Sequence, residues 1–285
     1  MKTGLVLEGG GVRGIYTAGV LDALLDAGIT FDGVIGVSAG AIHGCSYLSG
    51  QRGRSIRYYR KYVTDPRFMS LRSWITTGDI VGADFCYHDL PDKLDVYDHD
   101  AFLRCDTPFY VVCTDVETGQ PAYLRITDMR GQIDLLRASA SLPYFSRVVR
   151  FDGHKYLDGG CSDSIPVDAF MRMGYGRNVV VLTRDAAYRK TPEMSLLPRM
   201  VYRKYPAFVR TLEERHRAYN AQVERIAELE RQGSIFVIRP GAPLDIGRLE
   251  KDPQKVQRVY DTGFADANRY LTELRAWLEN NTGAE

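Results

Sequence analysis

The chain has 285 residues, of which 45% are hydrophobic, 26% charged and 11% aromatic. That composition excludes disordered, collagen-like and low-complexity chains, and the length suffices for one large domain or two small ones. A net charge of +1, from 37 basic and 36 acidic residues, argues against a protein built to neutralise many nucleic-acid phosphates.

A short apolar strand is predicted over 5–7, followed by Gly9-Gly10-Gly11-Val12-Arg13-Gly14. A secretory signal needs an unbroken apolar stretch of about 7–15 residues, and Glu8 interrupts this one. No run reaches the roughly 18 apolar residues of a spanning helix. Ile15, Ala18, Leu21 and Leu25 recur at helical spacing, and Gly28 stands where that helix should end. A second strand over 31–37 runs into Gly36-Val37-Ser38-Ala39-Gly40, and a small-residue helix over 41–48 follows. Strand, helix, strand, helix implies a parallel sheet covered by helices.

Residues 52–63 read as a basic, tyrosine-rich helix, and 79–106 as an acidic, broken stretch. Strands are expected over 108–115 and 121–126, a helix over 131–141, and a hairpin over 147–157 across Asp152-Gly153. A short helix over 167–173 and a strand over 178–183 come next, then a long polar helix over 212–231, a strand over 234–239 and a terminal helix over 254–279. The expected organisation is a catalytic unit over 1–185 and a mainly helical portion over 186–285 packed on the same domain. Five cysteines (Cys45, Cys86, Cys105, Cys113, Cys161) form no C-x-x-C pair, which points to a reducing cytoplasm rather than a disulfide framework or a zinc site.

Three stretches carry chemistry. Gly36-x-Ser38-x-Gly40 sits between a predicted strand and a predicted helix, the setting of a nucleophile elbow. There a serine occupies a strained turn, small neighbours avoid clashes, and the next helix turns its positive end toward developing negative charge. The bland alternative is a strand–turn–helix with an exposed serine. The glycine cluster matches a dinucleotide fingerprint, but no acid stands near the end of the second strand, since Asp32 is at its start. An oxyanion hole made by backbone N–H groups suits it better. Asp158 ends a strand before Gly159-Gly160, as a catalytic carboxylate would or as an ordinary Asp-Gly turn would. Of the five histidines, His43 is expected to be packed in the helix after Ser38, His154 lies in the hairpin, and His216 sits in a run of alternating charge. His216 is the residue a Ser–Asp–His triad would have to use.

The three motifs, in this order, resemble the patatin-like phospholipase family over residues 4–183, with Gly33-Val34-Ile35-Gly36 and Ala138-Ser139-Ala140-Ser141-Leu142-Pro143 adding to the likeness. The resemblance implies a three-layer α/β/α fold with a mostly parallel sheet. It also implies a lipid acyl hydrolase with a Ser–Asp dyad and no catalytic histidine. Carried over, Ser38 is the nucleophile, Asp158 the base, and the amides of Gly10 and Gly11 the oxyanion hole. Gly9, Gly14, Gly36, Gly40, Gly159 and Gly160 complete the motifs. Arg13 takes the basic position of the glycine loop, with bracing that loop preferred to meeting a lipid phosphate. No metal or cofactor is called for. An acyltransferase or thioesterase on the same elbow, and a non-catalytic lipid-binding protein of the same fold, are the alternatives.

The small net charge hides a cancellation. Residues 52–72 hold seven bases and one acid, whereas 79–106 hold eight acids and two bases. The aromatic, basic stretch over 52–74 either rests on anionic lipid as a peripheral membrane contact or pairs with the acidic stretch, the second being preferred. Residues 52–106 are also where a lid over an acyl pocket could be inserted. The expected partner is a fatty-acyl ester, not nucleic acid.

Overall fold

The computed structural model describes residues 1–192 and 195–280, so positions 193–194 and the last five residues of the expected C-terminal portion lie outside the described residues. In chain order, β1 (Thr3–Leu7) leads through a 3-10 turn at Gly11–Gly14 into α1 (Ile15–Asp26). Next come β2 (Gly33–Val37), α2 (Ala39–Leu48), α3 (Arg54–Tyr62) and α4 (Leu71–Thr77). A π-helical segment at Phe85–Leu94 precedes α5 (His99–Arg104), β3 (Phe109–Asp115), β4 (Pro121–Ile126) and α6 (Ile133–Ser139). The chain continues through β5 (Val149–Phe151), β6 (His154–Asp158), α7 (Val167–Arg172) and β7 (Arg177–Val181). It ends with α8 (Leu197–Val201), α9 (Pro206–Arg231), β8 (Ile235–Ile238) and α10 (Pro253–Glu279).

One mixed sheet of eight strands runs in the order β5-β6-β3-β2-β1-β7-β8, with β4 paired to the β3 strand. The pairs β1–β2, β2–β3, β1–β7 and β7–β8 are parallel, whereas β3–β4, β3–β6 and β5–β6 are antiparallel. Alternation along the central strands builds two apolar layers. Leu5, Leu7, Val34 and Val179 face one side, where Tyr16 and Leu21 of α1, Ala41 of α2 and Tyr260 of α10 cover them. Val6, Ile35, Val37 and Val180 face the other, under Phe170 of α7 and Val223 and Ile226 of α9.

Helix α10 lies close against α1 because both carry glycine at the contact. A Cβ on Gly19 would overlap the Tyr260 carbonyl oxygen, and one on Gly263 the Tyr16 carbonyl oxygen. Two buried carboxylates tie this pair. Tyr16 donates to Asp266 at 3.0 Å, and Tyr260 donates to Asp22 at 2.6 Å.

The predicted strands and long helices are present, and the differences have local causes. Helix α4 carries no sequence signal because Leu71 and Ile75 face solvent, so no buried stripe marks it; its start is set by Ser70, whose hydroxyl accepts the Ser73 N–H at 2.9 Å. The acidic stretch folds into a π-helix containing Pro91 and into α5. Helix α9 begins at Pro206, earlier than expected, with proline at its first turn and Phe208 buried there.

Candidate active site

Ser38 joins β2 to α2 with φ 53° and ψ −121°, a left-handed conformation for a residue that is not glycine. Such strain costs about 1–3 kcal/mol and persists only where neighbours hold it. They do so here. A Cβ on Gly36 would sit 2.6 Å from the Ala41 nitrogen, and one on Gly40 would sit 2.5 Å from the Leu7 carbonyl oxygen. Only glycine lets the start of α2 lie this close to the strands. Ser38 is 6% exposed, and its N–H donates to Ser139 Oγ at 2.9 Å. The first turn of α2 closes on the Ser38 carbonyl through the Ile42 N–H at 3.1 Å, so the positive end of the helix faces the serine.

Asp158 closes β6 and is 2% exposed. Its N–H donates to the Ser141 carbonyl at 2.8 Å, and its own carbonyl accepts from Thr114 Oγ1 at 2.8 Å. The carboxylate accepts the Gly160 N–H at 2.7 Å within the 3-10 turn Gly159–Cys161. Burial pushes Asp158 above the ordinary carboxylate range. The Arg215 guanidinium opposes that shift, as do hydrogen bonds from the Ser38 side chain and the Gly160 N–H, and then Arg248. The structure therefore brings Ser38 and Asp158, 120 positions apart in sequence, to the wall of one cavity.

The glycine loop borders the same space. Gly10 and Gly11 donate their N–H groups to no acceptor among the described residues. The loop is anchored from both sides: Val12 N–H donates to the Arg248 carbonyl at 3.1 Å, and Thr183 Oγ1 donates to the Gly9 carbonyl at 3.1 Å. Glu8, just before the loop, accepts from the Thr183 N–H at 2.6 Å and from Tyr219 at 2.8 Å. These anchors come from chain beyond the expected catalytic motifs, and sequence reasoning missed them. Arg13 corrects an expectation. It is 5% exposed, yet among the described residues its guanidinium makes no hydrogen bond, so it does not brace the loop that way. Burial, with Arg184 and Arg248 nearby, lowers its pKa to about 10.

Two cavities meet at Ser38. The first, of about 160 Å³, is walled by Ile42, Tyr58, Phe68, Met69, Leu90 and Leu136 among others. The second, of about 50 Å³, holds Asp158, Glu8 and the glycine loop together with Arg13, Arg184, Lys190, Arg215 and Arg248. Gly11, Ser38, Leu142 and Arg248 border both. An apolar chamber on one side of a serine and a charged one on the other can seat an amphiphile with its polar–apolar junction over the hydroxyl. Cysteine thiols Cys45 and Cys86 line the apolar chamber, where burial pushes both up in pKa; they are inert packing there.

Two of the five histidines, His88 and His99, line the apolar chamber, and the other three line neither cavity. His43 is buried in α2 with Nδ1 2.9 Å from Ser55 Oγ, and burial lowers its pKa to about 3, so it stays neutral. His216 has Nδ1 3.1 Å from the Glu213 carbonyl on α9 and lines neither cavity. His154 pairs with Asp115 at 3.2 Å in the hairpin.

In the basic stretch over 52–74, Arg54 and Arg57 share Asp95, Arg52 pairs with Asp26, and Arg67 pairs with Asp65. Tyr58, Tyr59 and Tyr62 are buried, while Leu71, Trp74 and Ile75 are exposed. No helix among the described residues is long and apolar enough to cross a membrane.

Comparison with known proteins places these residues in a wider group. The model of a family described as "Patatin-like phospholipase" matches residues 5–171, and that of a domain of unknown function (DUF6363) matches residues 205–279. The chain is 32% identical to the Escherichia coli (strain K12) protein called "Uncharacterized protein YjjU", over 67% of this chain and 55% of that one. It is 26% identical to "Lysophospholipase nte1" of Aspergillus oryzae, over 96% of this chain and 18% of that one. The chain thus spans about half the length of the first relative and under a fifth of the second. Among solved structures, VipD from Legionella pneumophila aligns with a TM-score of 0.45 at 14% identity, over 95% of this chain and 67% of that one.

Proposed function

Because this chain belongs to the patatin-like phospholipase family, we propose that it is a lipid acyl hydrolase of the phospholipase A or carboxylesterase type, working through a Ser38–Asp158 dyad. The observation that carries this reading is the strained Ser38 facing a buried Asp158 at the point where the apolar and charged cavities meet. A fatty-acyl chain fills the apolar chamber, and its ester carbonyl lies over Ser38. Ser38 Oγ bonds to the carbonyl carbon as Asp158 takes the hydroxyl proton. The Gly10 and Gly11 amides and the α2 N-terminus hold the negative charge that develops on the carbonyl oxygen. Asp158 returns the proton to the leaving alcohol as the ester C–O bond breaks. Water, deprotonated by Asp158, then releases the fatty acid and restores the Ser38 hydroxyl.

Burial makes this possible for an aspartate. A carboxylate with an ordinary pKa is a weak base, and desolvation raises its proton affinity. The test is labelling with a serine-directed fluorophosphonate alongside hydrolysis of p-nitrophenyl acyl esters. Wild type should label and turn over, and Ser38→Ala should do neither. Labelling that survives Ser38→Ala removes the assignment.

A further inference from the structure

The charged cavity beside Ser38 is unbalanced. It holds the cations Arg13, Arg184, Lys190, Arg215 and Arg248 against the carboxylates of Glu8 and Asp158. Both acids are already satisfied from within: Glu8 accepts from Thr183 and Tyr219, and Asp158 from Gly160. None of the five cations forms a salt bridge among the described residues. Aromatic rings and a carbonyl orient them instead. Arg184 lies 4.0 Å from the Tyr188 ring centroid, Lys190 lies 4.7 Å from that of Tyr219, and Arg215 Nε donates to the Gly160 carbonyl at 2.6 Å. These contacts fix direction and leave N–H donors unspent. The Arg13 guanidinium, buried beside them, has no hydrogen-bond partner among the described residues at all.

Like charges gathered in a half-enclosed space repel one another, so an arrangement of this kind is costly until an anion enters. Lys190 carries the mark of that cost: burial, with repulsion from Arg215 and Arg248, lowers its pKa to about 7. The space of about 50 Å³ suits a small group and not an acyl chain. It offers no free carboxylate to receive an ammonium group. Four of the five cations stand beyond residue 183, outside the stretch matched by the phospholipase model, and two of these, Arg215 and Arg248, fall in the stretch matched by the domain of unknown function.

We propose that this cavity is the leaving-group subsite for acyl esters whose alcohol carries a phosphate monoester, and that it selects this dianion over zwitterionic phosphocholine or phosphoethanolamine groups. The proposal rests on the Ser38–Asp158 reading above. The scissile acyl C–O bond lies at Ser38, the phosphate on the alcohol side lies among the guanidinium groups, and the products are the fatty acid and a phosphorylated alcohol. Arginine suits the task because its planar donors meet phosphate oxygens two at a time.

The experiment compares kcat/KM on short-chain, monomeric acyl-glycerol phosphate and acyl-glycerophosphocholine with the same acyl group, beside a neutral p-nitrophenyl ester. Wild type should prefer the phosphate monoester by about tenfold or more, and Arg184→Gln or Arg248→Gln should each reduce that ratio by about tenfold. The ratio cancels any general loss of activity, and Arg184→Lys should restore part of it. Equal rates on the two lipids, or a ratio untouched by both variants, overturns the proposal. In a second arm, Ser38→Ala is titrated calorimetrically with inorganic phosphate and with glycerol 3-phosphate. Glycerol 3-phosphate binding that is lost on adding Arg184→Gln supports the subsite, and absence of binding overturns it. Phosphate binding with flat lipid selectivity identifies a free-phosphate site and overturns the leaving-group assignment. Failure on the neutral ester by wild type would instead count against the hydrolase reading, and the calorimetric arm still decides the cavity.

Discussion

The backbone N–H of Ser38 donates to the Oγ of Ser139, and that hydroxyl in turn donates to the Val112 carbonyl at 2.7 Å. One buried hydroxyl at the end of α6 thereby couples the strained turn after β2 to β3. The conformation of Ser38 depends on a residue 101 positions away. Ser139→Ala leaves a buried N–H and a buried carbonyl short of a partner, which should cost about 1–3 kcal/mol. Urea unfolding measures that loss, and turnover of a neutral ester should fall with it. Unchanged stability and turnover would show that the bridge does not hold the elbow.

Asp158→Asn should reduce ester hydrolysis by at least about a hundredfold, since the amide cannot accept the serine proton. His216→Ala should leave the rate near that of wild type, because His216 lines neither cavity. Steady-state kinetics on the two folded variants decides between a dyad and a triad. Activity lost with His216→Ala and kept with Asp158→Asn would reverse the assignment.

The pH dependence follows from burial of Asp158. Its folded-state pKa is raised, so the carboxylate form needed as a base accumulates only above the ordinary aspartate value of 3.8. The acid limb of kcat/KM should accordingly lie on the high side of that value. Stability moves the other way. The folded chain holds this proton more tightly than the unfolded chain, so stability contributed by Asp158 falls as pH rises from the ordinary value through the raised one. Asp158→Asn removes the buried charge and should raise Tm at pH 7 relative to wild type, with the gap closing toward acid. Thermal melts across that range measure both signs.

Gly263→Ala tests the contact between α10 and α1. Alanine would gain about 1 kcal/mol in helix propensity. The added Cβ overlaps the Tyr16 carbonyl oxygen, however, and backbone cannot yield as a side chain can. Overpacking of this kind costs about 1–3 kcal/mol, so the variant should be less stable on balance. A rise in Tm would mean that the helices separate without penalty.

Ile42→Trp places bulk in the wall of the apolar chamber, one helical turn from Ser38. Long acyl esters should lose about tenfold or more in kcat/KM while short ones lose less. A chain-length series of p-nitrophenyl esters reads the change. A uniform loss at all lengths would place the acyl chain elsewhere.

The sequence alone determined what local rules control. Alternating or continuous apolar runs marked the strands, helical spacing marked α1, small residues marked α2, and glycines around Ser38 and before Arg13 marked turns that side chains would block. Its charge blocks also announced that a balanced total conceals local excess. Tertiary structure decided the rest, because burial and charge neighbourhood are properties of distant residues brought together. It set Asp158 and Ser38 on the wall of one cavity and tied the elbow to Ser139. It joined β8 to the sheet beside β7 and laid α10 on α1. It also gathered Arg13, Arg184, Lys190, Arg215 and Arg248, scattered over 236 positions, into one small cavity. No spacing rule links those five residues; the excess of positive charge beside Ser38 exists only once the sheet, α9 and the loop before α10 have closed around it.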